Sequence, residues 1–240
     1  MSVNRVHHPD LSLFQPGGIV TIEGDDAHHL IRVRRLEAGA PVTVLDGLGR
    51  VAEGKVAATR KHGRDGWALD VAIATIATEP RVSPGVHVLS SAPKGDRLGT
   101  MIDGLSQVGA ASWAPLDTVR TVVEPGAGKI DRLERIAAES AKQCGRAWKL
   151  EIAPGLRFAQ ALEHPHVVIA DGEGEAYRAR GAETIRLLVG PEGGFSPEEV
   201  SQARAAGARV CRFGPHIMRI ETAAVVAAAM IVSEEAPRRE

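Results

Sequence analysis

The sequence predicts an α/β protein in two parts: a small, mostly β domain, then a larger domain on a largely parallel sheet. Three observations predict it. Up to Ile76, apolar residues alternate with polar or small ones at period 2, as in strands with one buried face. The stretch Thr78-Glu79-Pro80-Arg81-Val82-Ser83-Pro84-Gly85 then places two prolines and a glycine in a polar setting, which suits a linker. Beyond it, short apolar runs alternate with segments of helical spacing, the pattern of a parallel sheet covered by helices. The expected division is 1–76, a linker over 77–84, and 85–240.

In the first part, Asp25-Asp26-Ala27-His28-His29-Leu30-Ile31 reads as a capped short helix, with Leu30, Ile31 and Val33 facing inward. Val42, Val44 and Leu45 form a strand that runs into the turn signal Asp46-Gly47, with Gly49 just beyond. Trp67, Leu69, Val71, Ile73 and Ile76 alternate as one more strand.

In the second part, Val86–Ser91 is a strand, and Asp96–Val108 carries Leu98, Met101, Ile102, Leu105 and Val108 at helical spacing. Trp113–Leu116 is extended. Ile130–Trp148 is amphipathic and sets Leu133, Ile136, Ala137, Ala141 and Cys144 on one face. Strands follow at Val167–Asp171, Ile185–Gly190 and Ala208–Gly214, with a last helix from about Thr222. That helix has no charge on any face between Ala223 and Val232, so it must be covered all round. Two covers fit: a second copy of the chain in a homodimer, or a central position inside one subunit.

Composition narrows the function classes. With 240 residues, 44% of them hydrophobic and 25% charged, the chain is an ordinary globular one and not a disordered segment. Aromatics are only 3%, so the core is built from Ala, Val, Leu and Ile. A net charge of -1 excludes a globally cationic nucleic-acid coat and leaves room for a local basic patch. Cys144 and Cys211 belong to no CxxC spacing, and the nine histidines show no ligand pattern, so no metal is expected. The opening MSVNRVHHPD has no apolar h-region, and the uncharged run Thr222–Ser233 falls well short of the ~20 residues that span a bilayer. A soluble, cytoplasmic protein without a membrane partner is the expectation.

Two glycine loops carry the candidate chemistry. In Leu187–Val200 an apolar strand enters Gly190-Pro191-Glu192-Gly193-Gly194 and a helix starts at once. Ser196 is the expected N-cap, Pro197 stands at N1, Glu199 completes a capping box, and Gly207 supplies the stop. Glycines at the C-terminal end of a strand let backbone approach a ligand closely, and open α/β sheets bind ligands at that end. Phosphate-loop readings fail, because Gly126-Ala127-Gly128-Lys129 lacks the upstream glycine and the following Ser or Thr. Gly172-Glu173-Gly174 does not complete GxGxxG either. A ligand held by backbone groups, such as an adenine edge, fits the first loop; so does a tight β-to-α turn. The second loop, Arg212–Met230, again ends a strand in Gly-Pro, here Gly214-Pro215, and places Arg219 and Glu221 before the final helix with Thr222 available as its cap.

With these loops in view, the chain resembles the RsmE family of bacterial methyltransferases, which methylate N3 of a uridine in 16S rRNA and belong to the SPOUT superfamily. GPEGGFSPEEV and FGPHIMRIETA carry the resemblance most specifically. Arg5 with His8-Pro9, the run His28–Gly47, Lys94-Gly95-Asp96-Arg97, Gly109, Pro115-Leu116, Arg120 and Gln143-Cys144-Gly145-Arg146 follow in family order over nearly the whole chain. The chain departs from the family pattern at Asp103-Gly104, at Gln107, at His216 and after Arg146.

The resemblance implies a small N-terminal PUA-like β-barrel, and a C-terminal SPOUT-type α/β domain with a trefoil knot. It also implies S-adenosyl-L-methionine as cofactor, a homodimer, and 16S rRNA of the small ribosomal subunit as partner. Cofactor contacts would come from Leu188, Gly190, Pro191, Glu192 and Gly193 in the first loop. From the second they would come from Phe213, Gly214, Ile217, Met218, Arg219, Thr222 and Ala223. Uridine N3 is nucleophilic only as its proton leaves, so the site needs a proton acceptor or a group that stabilises the uracil anion. Arg219 is the candidate for holding O2, O4 or a phosphate, with Glu221 and then Glu192 as proton acceptors. Glu221 also suits a purely electrostatic role at the positive end of the last helix. RNA contacts would come from Arg5, His29, Arg32, Arg34, Arg35, Lys94, Arg97, Arg120 and Arg146. His28, Lys55, Arg60, Lys61 and Arg64 add to the same basic cluster. A knotted enzyme with another RNA target, either ribose 2′-O or another base, and a non-catalytic RNA-binding protein of the same fold are the alternatives.

Overall fold

The computed structural model describes residues 4–62, 66–122 and 125–236. The chain forms two compact units, Met1–Arg81 with Ala141–Lys149, and Val82–Ser140 with Leu150–Glu240. The segment Ala141–Lys149 therefore counts with the first unit, although the sequence pattern places it in the second.

The first unit holds strands β1 (Arg5–His7), β2 (Ile19–Ile22), β3 (Pro41–Leu45), β4 (Arg50–His62) and β5 (Gly66–Thr78) in the order β1-β3-β4-β5-β2. β1 and β3 run parallel and the other pairs antiparallel. The period-2 positions Val42, Val44, Leu69, Val71 and Ile73 meet Val6, Val20 and Val56 in one core. Between β3 and β4, Asp46 Oδ1 accepts the backbone N–H groups of Leu48 (2.7 Å) and Arg50 (2.9 Å). Gly47 and Gly49 there take φ of 73° and 99°, which is why the turn is built from glycine.

Helix α1 (Gly24–His28) has Asp25 and Asp26 in its first turn but no side-chain cap, and it continues as a π turn over His29–Val33. Leu30 is buried as expected and Ile31 partly so, but Val33 is 63% exposed. The wider turn, closed by Arg34 N–H on His29 O at 3.0 Å, rotates the residues after it off the inward stripe.

The second unit carries β6 (Gly85–Ser90), α2 (Arg97–Gln107), β7 (Ser112–Asp117), α3 (Ala127–Cys144), β8 (Glu151–Ile152), β9 (Leu156–Arg157) and α4 (Phe158–Ala161). β10 (Val167–Ala176), β11 (Thr184–Val189), α5 (Pro197–Ala205), β12 (Arg209–Arg212) and α6 (Ile220–Glu235) complete it. The strands lie in the order β12-β10-β11-β6-β7-β8, β9 pairs with β7, and every pairing is parallel. Neighbouring residues of one strand feed opposite cores. Leu187 packs with Met101, Trp113 and Ala224 on one face, and Leu188 packs with Phe158, Phe195 and Ala203 on the other. Both faces are covered, which explains the continuous apolar runs in these strands.

Two helix ends differ from expectation. α3 stops at Cys144 because Gly145, at φ 79°, donates its N–H to Ala141 O at 2.8 Å in a left-handed C-cap. Cys144 consequently lies exposed beyond the buried Leu133, Ala137 and Ala141. α6 begins at Ile220 with Arg219 as N-cap, so Thr222 sits inside the first turn and caps nothing. One side of α6 buries Ile220, Ala224, Ala227, Ala228 and Ile231, and Met230 on another side is exposed. α6 packs tightly on α2: a Cβ on Gly104 would stand 2.8 Å from Val225 Cγ2. Among the described residues no helix is long and apolar enough to cross a membrane.

Candidate active site

Where β11 and β12 end, beside the middle of β10, the second unit opens a cavity of about 940 Å³, inside the size range of ligand pockets. Its walls include the loop after β11, the loop after β12, Asp171 and Glu173 of β10, and Arg204 of α5. This is the end of a parallel sheet where strand-to-helix loops can converge on a ligand.

The first loop is fixed from both sides. A Cβ on Gly190 would lie 3.2 Å from the Phe195 ring and 3.3 Å from the Gly194 carbonyl carbon, so the close turn favours glycine. Gly194 has φ 68° and donates to Pro191 O at 2.8 Å. Arg120 Nη1 donates to Gly193 O. The expected capping box forms: Ser196 Oγ accepts Glu199 N–H at 3.2 Å, and Glu199 Oε2 accepts Ser196 N–H at 2.8 Å. Glu199 Oε1 also accepts Val119 N–H at 2.9 Å, a link that sequence spacing does not announce.

In the second loop, Met218 Cε lies 3.5 Å from where a Cβ on Gly214 would stand. Ile217 is 99% exposed on the cavity wall, and Phe213 stacks on Tyr177 with ring centroids 5.6 Å apart. Arg219 is also exposed on that wall. Arg97, the first residue of α2, links both loops. Its Nη2 is 3.7 Å from Glu192 Oε1 and its Nη1 is 3.7 Å from Glu221 Oε1.

Residues 81–232 match the model of the RNA methyltransferase domain, and residues 22–63 match that of the RNA methyltransferase PUA domain. The chain belongs to the RNA methyltransferase family. It is 29% identical over 227 residues to ribosomal RNA small subunit methyltransferase E of Mycobacterium bovis, covering 88% of this chain and 85% of that protein. To the Bacillus subtilis protein of that name it is 27% identical over 232 residues, covering 88% of each. The same fold is seen in ribosomal RNA small subunit methyltransferase E from Neisseria gonorrhoeae bound to S-adenosyl methionine. The TM-score there is 0.81, with 24% identity over 95% of this chain and 96% of that one.

In this RNA methyltransferase, the cavity wall gathers the sequence-chosen cofactor residues except two. Leu188 is buried in the core and Thr222 is exposed on the first turn of α6, both away from that wall. Of the three candidate catalytic residues, Glu192 and Arg219 are on the wall, and Glu221 reaches Glu192 only through Arg97. Sequence reasoning missed Asp171, Glu173, Arg204 and Arg212. Asp171 had a signal: it follows the apolar run Val167–Ala170 at the ligand-binding end of the sheet.

The residues chosen for RNA contact divide by setting. His28, His29, Arg32, Arg34 and Arg35 are exposed on the first unit, with Arg32 5.6 Å from the centroid of the Trp67 ring. Arg60 pairs with Asp70 at 3.0 Å, and Arg64 lies outside the described residues. Arg5 is half-buried, lies against Gly145 and donates to Gln143 O at 3.3 Å. Burial pulls the pKa of Arg146 down. Lys94 is exposed, whereas Arg120 is engaged by Gly193 O. Two departures from the family pattern meet on α2, where Gln107 Nε2 donates to Asp103 Oδ2 at 2.9 Å.

Proposed function

We propose that this RNA methyltransferase transfers a methyl group from S-adenosyl-L-methionine to N3 of a uridine in 16S rRNA of the small ribosomal subunit. The observation that carries the reading is the cavity itself, which two glycine-rich loops build at the C-terminal ends of β11 and β12, beside the middle of the parallel strand β10. The names of the relatives support the substrate.

The residues present fit the cofactor. Gly172 and Gly193 border the cavity, where an added Cβ would meet nothing or only the Arg120 side chain, so backbone can come close to a ligand. Phe213, Ile217 and Met218 offer apolar surface to an adenosine, and Asp171, Glu173 and Glu192 offer negative charge to an ammonium or sulfonium. When bound, S-adenosylmethionine supplies an electrophilic methyl group on a sulfonium. Arg219 presents a planar fork of donors on the cavity wall and is assigned to the uracil carbonyls or a neighbouring phosphate. Glu192, which lies on that wall, is assigned the N3 proton, and Glu221, off the wall behind Arg97, is assigned the electrostatic role in the first turn of α6.

The exposed cations around Arg32 and Arg35 are assigned to rRNA phosphates, so the first unit takes the RNA-docking role. The partly exposed apolar side of α6 supports a homodimer as the functional form. The trefoil knot, a cytoplasmic location and a reaction without metal belong to the same reading.

The test is to incubate small-subunit particles with methyl-labelled S-adenosylmethionine and the protein, then map the modified nucleoside by mass. 3-Methyluridine at one position is the expected product. A methyl on ribose or on another base would reassign the target, and absence of transfer would refute the activity.

A further inference from the structure

One guanidinium joins the two loops that carry the candidate chemistry, and it does so from a third element. Arg97 opens α2, Glu192 stands in the loop after β11, and Glu221 lies in the first turn of α6. Nη2 faces Glu192 Oε1 and Nη1 faces Glu221 Oε1, each at 3.7 Å, while Nε donates to Lys94 O at 3.3 Å. The Arg97 side chain is 36% exposed and that of Glu221 only 14%. Glu221 Oε2 is buried with no hydrogen-bond donor among the described residues. A carboxylate in that position needs a cation beside it, because a buried charge without a partner is strongly disfavoured.

From this geometry we infer that Arg97 is a positioning residue for methyl transfer and not a contact for rRNA phosphate. Its two terminal nitrogens hold Glu192 and Glu221 at one spacing, which sets the first loop against the start of α6. The inference rests on the methyltransferase reading above. The planar fork matters more than the charge: Nη1 and Nη2 face the two carboxylates at a fixed spacing, whereas an ammonium offers three rotatable donors on a flexible stem and fixes no spacing. Displacement of a reacting group by about 1 Å can cost ~10²-fold in rate, so a loosened pair of loops is read in kcat.

The test compares wild type, Arg97→Lys, Arg97→Met, Glu221→Gln and the double variant Arg97→Met/Glu221→Gln. Single-turnover methylation of small-subunit particles is measured together with the salt dependence of RNA affinity. The expected result is a fall of ~10²-fold in rate for Arg97→Met. Arg97→Lys should recover little of it, and the double variant should be no slower than the worse single one. The salt slope of RNA affinity should be unchanged.

A phosphate contact would behave differently: Arg97→Met would reduce that slope by about 1, and Arg97→Lys would restore both slope and rate. That outcome, or additive losses in the double variant, overturns the inference and leaves the methyltransferase reading intact. A wild type that transfers no methyl overturns both. Circular dichroism melts show whether each variant is folded, and Arg97→Lys gives a second, milder reading if Arg97→Met is not.

Discussion

Glu199 reaches across eighty positions of sequence to Val119, taking its backbone N–H on Oε1 at 2.9 Å while Oε2 closes the capping box of α5. The Glu199 side chain is buried, so removing its carboxylate takes the acceptor from both donors. Glu199→Ala is expected to lower stability by about 1–3 kcal/mol, read as a lower urea midpoint at unchanged m-value. Arg120, next to Val119, donates to Gly193 O, so the same variant should also weaken cofactor binding. A midpoint within error of wild type would show that the bridge contributes nothing.

Gly104 and Val225 set how closely α2 and α6 pack. A Cβ at 104 would lie 2.8 Å from Val225 Cγ2, and a β-branched side chain in a helix has little freedom to turn away. Overpacking of about 1–3 kcal/mol should exceed the ~1 kcal/mol that alanine gains over glycine in a helix. Gly104→Ala is therefore expected to destabilise. Val225→Ala in that background should recover part of the loss, so the two changes would be coupled and not additive. Thermal melts of the four proteins decide it.

The C-terminal end of α6 is latched by Glu235. Its Oε1 accepts from Tyr177 Oη at 2.6 Å and Arg180 N–H at 2.9 Å, and Oε2 accepts from Gly181 N–H at 2.7 Å. Burial pushes the Glu235 carboxyl up, but the hydrogen bonds from Tyr177 and the backbone outweigh it and hold its pKa below the ordinary 4.5. A depressed acid stabilises the fold above its unfolded pKa, and that contribution is lost as pH falls through the folded value. Tyr177 moves the other way, raised by burial and then by Glu235, so its contribution is lost above its ordinary 10.0. Glu235→Gln should flatten the decline in urea midpoint below pH 4.5 relative to wild type. An identical acid decline in both proteins would place the titration elsewhere.

Met230 stands exposed on a helix with no charge between Ala223 and Val232. Met230→Glu is expected to shift the sedimentation coefficient from dimer to monomer without lowering helical content. A wild type that sediments as a monomer would contradict the homodimer outright.

Much of the fold was legible because local patterns and tertiary packing agree. Ser196, Pro197 and Glu199 form the capping box that their spacing requires, and Leu187 and Leu188 feed opposite cores as a period of two demands. Legibility failed where geometry left the standard period. The π turn at His29–Val33 put Val33 outside, and Gly145 ended α3 before Trp148. The site was readable along the two glycine loops, because a strand ending in glycine announces itself. Arg204 and Arg212 were not, since each is an ordinary exposed cation until the fold brings it to the wall. The sharing of Arg97 by Glu192 and Glu221 depends on three separate elements, and no spacing along the chain encodes it.

The cavity beyond β11 and β12 is the proposed site of S-adenosylmethionine. Calorimetric titration of wild type against Gly193→Trp tests it most directly. A Cβ at 193 would make only ordinary contact with Arg120 Cδ at 3.4 Å, and Gly193 is exposed on the cavity wall, so the fold should tolerate the indole while the cavity does not. The expected result is saturable binding by wild type, abolished in a variant with an unchanged melting temperature. Equal affinity in both proteins, or none in wild type, would contradict it.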